Sequence, residues 1–197
     1  MRPIISGRNS LTSGCETYLL NLIQPLLKNC QYSISSTKEF KEKFGSIRDK
    51  FDPRQYEIVS YDAKSLFPSI NLPRTVKHII RQIYRDIPTF FPINDETPLP
   101  PPKFLLEKFF LDVLLKYNSF ETLGGFYRQV QGVSMGGKLS GALSNIFLDI
   151  FEQNCIKENL KNKNIIFYAR FVDDVCMIVK KGQAGSFLKN STFSIKG

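Results

Sequence analysis

The chain has 197 residues, 42% of them apolar and 23% charged, enough for one ordinary domain or two small lobes around an apolar core. That excludes a disulfide-stapled miniprotein and a wholly disordered chain. With 27 Lys plus Arg against 18 Asp plus Glu the net charge is +9, which favours a polyanionic partner such as nucleic acid. No apolar run reaches the ~18 to 20 residues that span a bilayer, and no charged-then-apolar leader opens the chain, so the expectation is a soluble intracellular protein with no membrane partner. Cys15, Cys30, Cys155 and Cys176 stand too far apart for a CxxC pair and read as reduced thiols. His78 has no Cys or His nearby, which argues against zinc and against a histidine-dependent triad.

In chain order, Arg2-Pro3-Ile4-Ile5-Ser6 before Gly7 reads as an edge strand. Cys15, Tyr18, Leu19, Leu22, Ile23, Leu26 and Leu27 form a helical stripe with a kink expected at Pro25. Residues 38 to 54 mix charges of both signs around Phe40, Phe44, Ile47 and Phe51, which predicts a solvated helix and loop. A buried strand is expected over Glu57 to Tyr61, and a helix carrying Val76, Ile79, Ile80, Ile83 and Ile87 after Pro73 and Thr75. The proline-rich stretch 88 to 102 reads as an extended surface connector, followed by a helix over Leu105 to Leu114. Gly124-Gly125 turns between two short strands, Ser119 to Leu123 and Phe126 to Val130. The loop Gln131 to Gly137 leads into a helix marked by Leu139, Ala142, Leu143, Ile146, Phe147, Ile150 and Phe151. Strands over Ile165 to Val172 and Val175 to Val179 meet at Asp173-Asp174.

Three carboxylates carry the chemistry: Asp62 at the end of one strand, and Asp173-Asp174 in a hairpin turn with apolar flanks. Asp also favours turns by bonding its own backbone, so the doublet alone has an ordinary explanation. The apolar flanks Phe171, Val172, Val175, Cys176, Met177 and Ile178 weaken it, because like charges beside a core need a compensating cation. Hard divalent ions prefer such oxygen ligands, and paired Mg²⁺ ions suit nucleotidyl transfer. The glycine-bearing loop could bring backbone N–H groups to a phosphate or a base, with Lys138 as a further phosphate contact, or could simply start a helix.

The segment Tyr61-Asp62-Ala63-Lys64-Ser65-Leu66-Phe67-Pro68-Ser69-Ile70 resembles the first catalytic motif of reverse transcriptases of the Penelope-like retroelements. Tyr127 to Gly136, running on through Leu139-Ser140 and Asn145-Ile146-Phe147 to Glu152, is similar to their second motif. Arg170-Phe171-Val172-Asp173-Asp174 resembles the third, and Arg2 to Gly7 the fingers motif upstream.

The resemblance implies an α+β fold: a right-hand polymerase palm, an antiparallel sheet with packed helices, over 57–197, with partial fingers over 1–56 and no thumb. It implies an RNA-directed DNA polymerase using two Mg²⁺ ions, or Mn²⁺, with RNA template, DNA primer and deoxynucleoside triphosphates as partners, in the nucleus. By position, Asp62 and Asp173 would hold the metals with Asp174 beside them, and Phe67 would exclude a 2′-hydroxyl by bulk. Arg2 would contact the triphosphate, while Gln131 and Gly132 would line the nucleotide and template side. The family's Ser-Pro-Leu-Ser-Pro is replaced by Gly137-Lys138-Leu139-Ser140-Gly141, which predicts a looser helix start. The alternative is a catalytically silent, basic nucleic-acid-binding domain.

Overall fold

A computed structural model describes residues 10–63, 65–92, 99–116, 119–122, 124–185 and 193–195. The elements in order are α1 (Ser13–Lys28), α2 (Thr37–Gly45), β1 (Tyr56–Ala63), α3 (Leu66–Ser69), α4 (Leu72–Arg85), α5 (Ile87–Phe90), α6 (Lys103–Leu111), β2 (Ser119–Thr122), β3 (Gly125–Arg128), α7 (Ser140–Lys161), β4 (Ile165–Phe171), β5 (Asp174–Lys180) and β6 (Phe193–Ile195). They belong to two compact units, each made of two stretches of chain: Met1–Asn29 with Phe67–Phe147, and Cys30–Leu66 with Leu148–Gly197. The edge strand expected at Arg2 to Ser6 lies outside the described residues.

The second unit is built on an antiparallel sheet of strand order β4-β5-β1-β6. Alternation along the strands gives the sheet two apolar faces. One carries Tyr61, Val175, Met177 and Val179 against Ile156 of α7, with Tyr32 edge-on to Tyr168. The other carries Phe167, Ala169 and Ile178. Here the solvated helix expected over 38 to 54 is corrected. Phe40 and Phe44 of α2 both meet Phe167 edge-on, and Ile47 and Phe51 join the same cluster, so the charged residues are the outer side of a docked helix. The helix start is fixed by Ser36, whose Oγ accepts from the Glu39 N–H, while Glu39 accepts from Ser35 N–H and Oγ.

The first unit is helical. The buried faces of α1 (Leu19, Leu22, Ile23), α4 (Val76, Ile79, Ile80, Ile83) and α6 (Leu106, Phe110) form its core, with α5 packed on α1 and α4. Each fully buried Ile or Leu contributes about 1.5–3 kcal/mol relative to exposure. α4 starts one residue before Pro73, capped by Asn71 Oδ1, which accepts from the Arg74 N–H at 3.1 Å. Ile87 falls in α5 instead of α4, so the connector expected from 88 begins as a helical turn. β2 and β3 pair as the expected hairpin, but Gly125, expected in the turn, instead opens β3 opposite Thr122, with φ 122. The helix over 103–111 continues into a π-helical turn over 112–116, and α7 runs to Lys161, ten residues beyond the apolar repeat.

Within the second unit, burial and then the charge of Asp149 push the Cys30 thiol from its ordinary 9.0 up to about 12. At pH 8 iodoacetamide should therefore label the exposed Cys155 and leave Cys30 intact, as read by peptide mass mapping. Equal labelling of the two would contradict this burial. Because the raised folded value favours the neutral thiol, the Cys30 contribution to stability is full below about 9 and is lost as pH rises toward 12.

Candidate active site

In the second unit the strand register brings the three predicted carboxylates to one end of the sheet. Asp62 of β1 lies directly opposite Asp174 of β5, and the Ala63 N–H donates to the Asp173 carbonyl at 3.1 Å. Directly opposed residues of antiparallel strands share a face, with Cβ atoms roughly 4.5–5.5 Å apart. Asp62 and Asp173 are half-buried and Asp174 is exposed. Phe171 and Val172 are also well exposed, which corrects the expectation of a doublet sealed in apolar surroundings: the strands are buried, and the hairpin tip opens to water.

The tip is a two-residue turn, Val172-Asp173, closed by the Phe171↔Asp174 pair. Val172 has φ 56, a left-handed position where glycine is usual and a β-branched residue is strained by about 1–3 kcal/mol. Arg170 holds it there. Its Nη1 donates to the Val172 carbonyl at 3.1 Å, while Nε and Nη2 donate to Glu152 Oε1 and Oε2 at 2.6 and 3.2 Å. Both ion-pair side chains are 0% exposed, and the Tyr168 hydroxyl donates to Glu152 Oε1 at 2.7 Å. Burial works against the Arg170 charge, yet the hydrogen bond and charge of Glu152 outweigh it and hold its pKa above the ordinary value. The Tyr168 hydroxyl is pushed well up, by burial first and then by the Glu152 charge.

The fit of a metal follows from the donor set. Three carboxylates at one sheet end are all-oxygen ligands suited to Mg²⁺ or Mn²⁺. Among the described residues no three His, Cys, Asp or Glu side chains form a ready cluster. Magnesium commonly takes one or two carboxylates and completes its shell with substrate phosphates and water, so the pair Asp62 and Asp173 fits such a site.

Three further predicted residues come together in the first unit. Gly132 sits at φ 68, and a Cβ there would lie 2.2 Å from the Phe67 carbonyl oxygen and 2.5 Å from Pro68 Cα. The Val133 N–H donates to that same carbonyl at 3.0 Å, so the glycine loop crosses the backbone of Phe67 in contact. Gln131 and Gly132 line a cleft of about 350 Å³ together with Ile70, Asn71, Leu115 and Val130. Arg2 lies outside the described residues. Lys138 is exposed, with its Nζ donating to Thr17 Oγ1 at 3.0 Å and its N–H to Glu16 Oε2 at 2.9 Å. With Ser140 Oγ donating to the Ser134 carbonyl at 2.5 Å, these bonds hold a helix start that was expected to be loose without prolines.

No family model matches this chain, and no curated protein does. Solved structures do. The apo telomerase of Candida tropicalis truncated from its C-terminal domain superposes with a TM-score of 0.61 at 18% identity, over 93% of this chain and 36% of that one. The telomerase of Candida albicans in complex with the TWJ fragment of telomeric RNA gives 0.60 at 16% identity, over 95% and 36%. The chain thus spans about a third of the length of these structures. At such identity the likeness concerns the fold alone, an α+β fold shared with these telomerases.

Two predictions come from these contacts. Glu152→Gln or Arg170→Met, by leaving a buried partner uncompensated, should each cost about 3–5 kcal/mol in denaturant unfolding; a loss below about 1 kcal/mol would refute the brace. Gly132→Ala should cost more than about 1 kcal/mol, where Gly141→Ala, with open space around it, should not.

Proposed function

We propose that the chain is the reverse-transcriptase domain of a Penelope-like retroelement, an RNA-directed DNA polymerase that extends a DNA primer on an RNA template. The observation that carries the reading is the opposition of Asp62 and Asp174, with Asp173 in the turn between β4 and β5, in a chain whose fold is telomerase-like. The Phe171-Val172 form of the third motif supports the Penelope-like type.

In this reading Asp62 and Asp173 hold two divalent cations, Mg²⁺ or Mn²⁺, with Asp174 beside them. Bound there, such ions supply charge neutralisation at the attacking 3′-hydroxyl and the leaving pyrophosphate. Phe67 lies under the sugar of the incoming deoxynucleoside triphosphate and excludes a 2′-hydroxyl by bulk. Its backbone is held by the Gly132-Val133 crossing, which suits a side chain that must keep its place. Gln131 and Gly132 line the nucleotide and template side, and Arg2 meets the triphosphate through its planar guanidinium. The sheet unit forms the heart of the palm. The absence of a ready ligand cluster among the described residues, with a net charge of +9, favours one second reading, a silent nucleic-acid-binding domain.

Primer extension on an RNA template separates the two. The 197-residue chain with Mg²⁺ or Mn²⁺ should extend the primer, and Asp173→Asn should abolish extension while leaving the fold intact. Phe67→Ala should then admit ribonucleotides. Extension that survives Asp173→Asn would overturn the metal assignment, and no extension by the wild type beside intact RNA binding would select the silent domain.

A further inference from the structure

Helix α4 has an electrostatic composition that its packing does not require. Its fourteen residues include Arg74, Lys77, Arg81 and Arg85 and not one Asp or Glu. At 3.6 residues per turn the four cations fall within about 80° of arc, in a stripe roughly 16 Å long. The opposite side, Val76, Ile79, Ile80 and Ile83, is fully buried. All four cations are exposed, and among the described residues none is in an ion pair. Arg74 lies in the first turn, where the helix dipole disfavours a cation. His78, on the same side, is held below its ordinary pKa by burial first and then by Arg81 and Arg85, a sign of positive potential along the stripe.

Like charges stacked at helical spacing destabilise the isolated helix. A solvated face would do as well with mixed signs. We propose that this face of α4 binds the phosphodiester backbone of a nucleic acid strand. Each strand of a duplex carries one phosphate per about 3.4 Å of helix axis, so a stripe this long spans the rise of about five nucleotides. The buried apolar side also distinguishes α4 from a membrane-surface helix, which needs that side free. The inference rests on the nucleic-acid reading above, and its test needs binding alone, without catalysis.

The test is fluorescence anisotropy with a labelled ~20-nucleotide RNA and the matching RNA–DNA duplex, titrated between about 50 and 200 mM salt. Arg74→Gln/Lys77→Gln/Arg81→Gln should weaken binding roughly tenfold or more and lower the salt slope by about 2–3, near 0.7–0.9 per lost contact. The charge-keeping Arg74→Lys/Arg81→Lys/Arg85→Lys variant should retain the slope. The matched control Lys157→Gln/Lys161→Gln/Lys163→Gln, three exposed cations elsewhere, should leave it nearly unchanged. An unchanged slope in the α4 variant, or equal loss in the control, would overturn the proposal. So would dependence on α4 seen with phosphatidylserine vesicles and not with RNA. Primer extension by the wild type is scored separately: α4-dependent binding without extension upholds this face and removes the polymerase reading.

Discussion

The bidentate pair between Arg170 and Glu152 is the interaction on which the sheet unit depends. Both charges are removed from water, and only a complete set of partners makes that tolerable. Every contact of the set does structural work. Glu152 anchors the pair to α7, and Tyr168 satisfies the remaining demand of its carboxylate. The backbone of Arg170 takes the Ile34 N–H and gives its own N–H to the Tyr32 carbonyl, so the 32–34 segment is stitched to β4. The guanidinium then reaches forward to the Val172 carbonyl and holds a strained turn. The place of Asp173 in the turn, next to the Asp174 that lies opposite Asp62, is therefore set from behind by the buried charge pair.

The helical unit uses a different device for the same end. Where the glycine loop crosses Phe67, no side chain fits, and a single backbone hydrogen bond fixes the approach. Beyond the loop, Lys138, Glu16 and Ser140 hold the start of α7 by polar contacts, where the family resemblance would have supplied prolines. Steric exclusion and tethering replace a rigid residue.

Much of this was legible in the chain. Short apolar runs around residues 57–61 and 165–179 and the apolar stripe of α4 set the elements, because burial on both faces of a strand or one face of a helix imposes those patterns directly. That Asp62 and the Asp173-Asp174 doublet belong to one site was implied by the resemblance, whereas the register that sets Asp62 opposite Asp174 was not readable. What escaped was relational. Nothing local in Phe40 and Phe44 says that they meet Phe167, and a mixed-charge segment looks solvated whichever way its rings face. Arg170 and Glu152 stood in the quoted motifs without a role. An arginine inside an apolar strand and a glutamate on an apolar helix face were the available signals, and only their joint burial gives them meaning. The one-signed charge of α4 was readable too, but emerges only when the helix is wound and its apolar side is assigned to the core.

Amide hydrogen exchange at Ala63 tests the brace most directly, since that N–H reports on the Asp173 carbonyl across the strands. In Glu152→Gln the account predicts that Ala63 loses most of its protection, while Met177 and Ile178, deeper in the same sheet, keep theirs. Ala63 protection equal to that of the wild type would show that the turn holds its carboxylates without the buried pair.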